Sequence, residues 1–81
     1  MPRFYFDVVD GSAVSRDPDG VEFAAIEDAV AEAVRGARDL VAHGIMQNQD
    51  VSGQSFAIRD ERGETVATVR FKDTLPGSLR G

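Results

Sequence analysis

The sequence predicts an α+β domain with two layers and the element order β-β-α-β-β, in which one amphipathic helix packs on one face of a small, mainly antiparallel sheet. Two observations carry this prediction: alternating aromatic and β-branched segments stand near both ends of the chain, and one apolar stretch of period 3.6 lies between them. The 81 residues suffice for one small domain and not for two. We expect the domain over residues 1–73 and a frayed tail over residues 74–81, where Pro and Gly are frequent.

The N-terminal part predicts strands separated by turns. Residues 3–9 are aromatic and β-branched, which favours a strand, and alternation gives that strand an apolar face of Phe4, Phe6 and Val8. Turns are predicted at residues 10–11 and 17–20, because Gly accepts a positive φ and Asp and Pro favour turns. Between them we expect a short strand near residues 13–16, followed by an extended piece over residues 21–23.

A helix is predicted over residues 25–43. Apolar residues recur there at steps of three and four and form one stripe. The stripe consists of Ile26, Ala29, Val30, Ala33, Val34, Ala37, Leu40 and Val41. Gly44 directly follows His43 and predicts a C-cap, although the helix has the alternative of continuing to Gln49 with Gly44 inside it.

The last two strands are predicted over residues 55–60 and 65–71, around a turn at residues 61–64. Their register follows from the apolar residues, because only the pairs Phe56 with Val69 and Ile58 with Ala67 put both sets on the helix side. These assignments predict one core, formed by Phe4, Phe6, Val8, Val30, Val34, Leu40, Val41, Phe56, Ile58, Val69 and Phe71.

Composition excludes several classes of function. The chain has no Cys and a single His, His43, which excludes disulfide scaffolds, thiolate nucleophiles and multi-His metal sites. It contains neither a Gly-rich phosphate loop nor a Gly-x-Ser-x-Gly elbow. The net charge of −5 opposes phosphate contact, so we expect no nucleic-acid partner. Without an apolar run of membrane length or a signal peptide, we expect a cytoplasmic protein with no membrane partner.

Acidic residues in the first turns are the strongest candidates for chemistry. Ser15, Asp17, Asp19 and Gly20 match the first, third, fifth and sixth positions of a calcium loop, but the twelfth position is Ile26 instead of an acid. We expect the acids of the N-terminal 22 residues, Asp7 among them, to be solvated, whereas general acids and bases need burial. We therefore predict no catalytic, cofactor-binding or metal site, and no enzyme activity.

The sheet face that the helix leaves uncovered, called here the outward face, is predicted to bind a partner. It is too apolar for plain solvent surface and too polar for a core. The candidate residues are Tyr5, Val9, Ala57, Arg59, Val66, Thr68 and Arg70. Because two-fold association is the commonest way to cover such a face, we expect a homodimer. Pairing through a free edge strand is a competing route, and a small protein is an alternative partner.

The succession of MPRFYFDVVDG, DPDGVE, an Ala- and Arg-rich helix, the hairpin IRDERGETV and a closing VRFKD resembles a family of short proteins from rhizobia-like alphaproteobacteria that form a domain of unknown function. The resemblance covers residues 2–73 and implies no activity, cofactor or catalytic residue. Many of those proteins carry His in the place of Asp7, so a role of that His would not transfer.

The N-terminal half is also similar in pattern to the N-terminal domain of HicB-type antitoxins, with its short hairpin and its Ala-rich helix that starts with acids. This second resemblance implies an alternative function as a toxin-neutralising or regulatory module.

Overall fold

The computed structural model describes residues 1–76. It confirms the predicted α+β architecture, with one helix packed on one face of a small antiparallel sheet. The elements are β1 (Arg3–Asp10), β2 (Ala13–Ser15), β3 (Val21–Glu22), α1 (Ile26–Met46), β4 (Ser55–Arg59), β5 (Thr65–Arg70) and a 3₁₀ helix (Phe71–Thr74).

The first strand lies inside the sheet, whose order is β2-β1-β4-β5. The far end of β1 pairs with β2, where Asp10 is opposite Ala13, and its beginning pairs with β3, where Arg3 is opposite Glu22. Residues 16–20, which join β2 to β3, therefore form a loop beside the middle of β1. The predicted turn at residues 17–20 belongs to this loop.

The register of β4 and β5 is as predicted, with Phe56 opposite Val69 and Ile58 opposite Ala67. Beyond Ile58 the pairing is irregular, because Arg59 is opposite Thr65 and Val66 is left as an extra residue in a β-bulge. A bulge shifts the alternation of side chains by one position. Val66 consequently lines a groove together with Phe4 and Ile26, which belong to the helix side of the sheet.

The helix runs past Gly44 to Met46, so the predicted end at a Gly44 C-cap is wrong and the alternative with Gly44 inside the helix is the better description. Gly44 is buried, and a Cβ on it would lie 2.9 Å from the carbonyl oxygen of Gln49. A glycine at this position lets the chain that follows the helix pass close to it, and the Gln49 amide donates to the Gly44 carbonyl at 2.7 Å.

Small side chains hold the helix close to the sheet. The buried residues of α1 are Ala29, Ala33, Ala37, Val41 and Gly44. Leu40 is 42% exposed because it lies on the flank of this stripe, so its predicted place in the core is wrong. Below the helix, the ring of Phe56 packs against the rings of Phe71 and Phe6, with centroids 5.0 and 6.1 Å away.

The chain turns under the helix after Arg70, one residue before the predicted end of the last strand. Phe71 is fully buried, and Thr74 is buried with its hydroxyl donating to the Phe71 carbonyl. Leu75 packs against the core, and Arg38 Nε donates to the Thr74 carbonyl at 2.7 Å. The remainder of the predicted tail, residues 77–81, lies outside the described residues.

Candidate functional site

The outward face consists of alternate residues from four strands. Cross-strand pairing aligns one row through Val14, Val9, Ser55 and Arg70, and a second row through Asp7, Ala57 and Thr68. Small uncharged side chains therefore occupy most of these rows. The sequence analysis missed Val14, which is 51% exposed, because the alternation of a three-residue strand is too short to read.

A buried ion pair borders this area. Asp7 is only 2% exposed although it belongs to the outward face. Arg59 donates to it as a fork, with Nε 2.6 Å from Oδ2 and Nη2 3.1 Å from Oδ1. The same guanidinium lies over the ring of Tyr5, 5.0 Å from its centroid. Bidentate pairing of this kind fixes the orientation of both partners and neutralises their charges.

The loop over residues 16–20 closes this ion pair from the side. The Asp17 amide donates to Asp7 Oδ1 at 3.0 Å, and Asp17 Oδ2 accepts from the amide of Phe6 at 3.1 Å. Asp17 Oδ1 also accepts from the amides of Asp19 and Gly20, both at 3.2 Å. The Phe6 amide, in the middle of β1, points to the gap between β2 and β3 and would otherwise be unpaired. The Asp17 carboxylate therefore satisfies this amide and at the same time holds the loop in its turn.

Hydrogen bonding determines the ionisation of both carboxylates. The bond from Arg59 lowers the pKa of Asp7 against the opposing effect of burial, with help from the Asp17 amide. Burial works to raise the pKa of Asp17, but the amides of Phe6, Gly20 and Asp19 outweigh it and the pKa is lowered. Both groups are therefore ionised and fully engaged at neutral pH, which suits them to holding structure instead of moving protons.

A family model described as DUF6894, a domain of unknown function, matches residues 3–72. The chain belongs to this family. The match includes the loop over residues 16–20 and every strand, so the ion pair of this DUF6894 domain falls within the family's span. Comparisons with curated proteins and with solved structures give no match.

Six of the seven predicted interface residues of this DUF6894 domain lie together on the outward face. Half-buried positions belong to Tyr5, Val9, Ala57 and Arg59, and exposed positions to Thr68 and Arg70. The seventh, Val66, is separated from them by the bulge. Arg70 pairs with Asp73 at 2.7 Å, so both arginines of the predicted surface have their charges neutralised within the chain.

Within residues 1–76, no three His, Cys, Asp or Glu side chains are grouped so that they could hold a metal ion. The one α-helix in that range, Ile26–Met46, does not combine the length and the apolarity that a membrane crossing requires.

Proposed function

We propose that this DUF6894 domain is a non-enzymatic interaction module that self-associates through its outward face. One observation carries the proposal: a single helix covers one side of the sheet, and the strand register gathers uncharged side chains on the other side. The residues gathered there are Val9, Val14, Ser55, Ala57 and Thr68. Faces of this kind pack against a second sheet at a separation of about 10 Å when their side chains are small.

The charges around this area favour a second copy of the chain as the occupant. Two identical faces meet in a two-fold contact, so an unpaired charge on one face would meet or approach its own copy. Arg59 is neutralised by Asp7 and Arg70 by Asp73. These two arginines therefore add little repulsion between two outward faces, although the whole chain has a net charge of −5.

The edges of the sheet support a face-to-face contact over strand addition. On one side, β2 and β3 have only three and two residues and are interrupted by the loop over residues 16–20. On the other side, the bulge at Val66 and the 3₁₀ helix after Arg70 shorten the regular part of β5. Short and bulged edges are the usual protection against edge-to-edge pairing.

Sedimentation equilibrium of matched variants tests the proposal. Val14→Asp places a charge on the outward face. Val21→Asp is the control, because Val21 is opposite Phe4 on the helix side of the sheet. The two valines are similarly exposed, Val14 at 51% and Val21 at 49%. We expect a dimer at micromolar concentration for the natural chain and for Val21→Asp, and a monomer for Val14→Asp.

Circular dichroism of each variant establishes that the fold is retained before the masses are compared. A natural chain that stays monomeric at high concentration would remove the proposal. A dimer weakened equally by both substitutions, or by neither, would move the interface away from the outward face.

A further inference from the structure

A second surface lies at the end of the molecule where α1 begins. It is a groove of about 510 Å³, within the range of sites that bind small molecules or peptide side chains. Its apolar lining comes from Pro2, Phe4, Ile26 and Val66, and the turn between β4 and β5 contributes Asp60, Glu61 and Arg62. None of the residues proposed for self-association lines this groove, so its occupant is a separate question.

The bulge in β5 gives this groove one of its walls. Regular alternation would have placed Val66 on the outward face, because Thr68 lies there and Val66 is two residues away. The extra residue instead turns Val66 to the groove, where it stays 42% exposed. Bulges re-aim side chains in this way at binding sites. An apolar side chain so exposed is stabilised little within the isolated chain, and a bound partner would bury it.

The rim of the groove is acidic. Arg62 is the cation of the lining, and it is held by Asp60 at 3.2 Å and by Glu64 at 3.5 Å. Glu61, which also lines the groove, forms no ion pair within residues 1–76.

We infer that this groove binds a basic peptide segment that carries large apolar side chains. The groove of about 510 Å³ has room for at least two such side chains, since a cavity of about 150 Å³ holds one benzene ring. The negative charge of the rim favours basic residues beside the apolar part of the peptide. An acidic surface attracts Lys and Arg and repels acidic peptides, nucleic acids and anionic membranes.

Backbone amide NMR with two capped hexapeptides tests the inference. The first peptide has a central Leu-Phe pair with two lysines on each side, and the second has glutamates in place of the lysines. We expect the lysine peptide to shift the amide signals of Phe4, Ile26 and Val66, with an affinity that falls as salt screens the rim. The glutamate peptide should leave these signals in place.

A pair of variants assigns the binding to the groove. Val66→Ser removes the exposed methyl groups from the wall and should weaken binding of the lysine peptide about tenfold. Val21→Ser is the matched control, because Val21 is similarly exposed at 49% and does not line the groove. It should bind the lysine peptide as the natural chain does.

Three outcomes overturn the inference. They are equal binding of the glutamate peptide, equal binding of a lysine peptide whose Leu-Phe pair is replaced by Ser-Ser, and equal weakening by the two serine variants. The first would show that charge does not select the ligand, the second that apolar contact is not used, and the third that binding occurs elsewhere. Each result is independent of whether the protein is a dimer.

Discussion

At Gly20 the chain meets two requirements that only glycine satisfies. The residue has a φ of +69°, and a Cβ on it would lie 2.8 Å from the Phe4 carbonyl oxygen and 2.9 Å from the Tyr5 ring. Backbone and ring atoms of a packed strand cannot move aside cheaply. The loop therefore depends on Gly20 for both its conformation and its closeness to β1.

We expect Gly20→Ala to lower the free energy of unfolding by at least about 2 kcal/mol, because left-handed strain and a steric clash add together. Gly11→Ala is the control: Gly11 has a φ of +61° and nothing within 4 Å of an added Cβ. It should cost only about 1 kcal/mol. Urea denaturation measures both, and equal costs would show that the close approach to β1 is unimportant.

The ion pair between Asp7 and Arg59 makes a second prediction at this scale. Asp7→Asn should cost about 2–3 kcal/mol at neutral pH, less than a fully buried pair, because the Arg59 side chain retains 17% exposure. Asp73→Asn removes an exposed ion pair and should cost less than about 1 kcal/mol. If the two substitutions lowered the free energy of unfolding by similar amounts, the buried ion pair of Asp7 would contribute no more to stability than an exposed one.

The same carboxylates set the response to acid. The pKa values of Asp7 and Asp17 are lowered in the folded protein from an ordinary value of 3.8, so their contribution to stability is complete above that value. It is lost as the pH falls below about 4 toward the folded-state pKa values. Urea denaturation between neutral pH and about pH 3 should show a smaller loss for Asp7→Asn than for the natural chain. Parallel losses would argue against an ionised Asp7.

The contacts among Asp7, Asp17 and Arg59 could not be predicted from the sequence alone. Asp17 was correctly assigned to a turn, but its partners depend on contacts across the sheet, and Arg59 is 52 residues from Asp7. One signal was available, since Asp7 interrupts an otherwise aromatic and β-branched strand and Arg59 falls on the same predicted face. The expectation that acids of the N-terminal region are solvated is wrong for Asp7, because hydrogen bonds compensate its burial.

At the scale of elements, the strands and their register were predictable because alternating apolar residues allow only one pairing that buries both strands. The bulge was not, because alternation carries no mark of an inserted residue. Helix periodicity located α1 correctly, but it also assigned Leu40 to the core. Periodicity shows which side of a helix is apolar and does not show how much of that side is buried. Gly44 resembles a C-cap in the sequence, because its close contact with Gln49 arises only in the folded chain.

The alanine stripe of α1 predicts a strong dependence on side-chain size. Ala33 lies on the side of α1 that packs against the sheet and is only 1% exposed, whereas Ala31 of the same helix faces solvent. Ala33→Leu should cost about 1–3 kcal/mol, because added methylenes must displace the helix or strain its neighbours. Ala31→Leu should change stability by less than about 0.5 kcal/mol. Thermal unfolding compares them, and a harmless Ala33→Leu would show that α1 is not packed closely.

For the whole molecule, Phe56 joins the parts of the core. Its ring touches those of Phe6 and Phe71, and it lies 3.7 Å from the position of a Cβ on Gly36 of the helix. Phe56→Ala should cost about 3–5 kcal/mol, a large share of the stability of so small a domain. Phe6→Ala should cost less because Phe6 is half-buried. Chemical denaturation of both variants tests this order, and the reverse order would contradict it.

The position of β1 inside the sheet has a consequence for the order of events in folding. The hairpin of β4 and β5 closes between neighbours in sequence, whereas β1 must find β4 across about fifty residues, as in the pairing of Phe6 with Ile58. Distant pairing requires more chain entropy to be lost first and is slow. The helix and the C-terminal hairpin should therefore be the first native parts to form, with β1 joining them afterwards. On a growing chain, β1 emerges first and remains unpaired on its β4 side until residues 55–59 have been made. During that interval the exposed aromatic residues and the unpaired edge of β1 make the growing chain prone to aggregation.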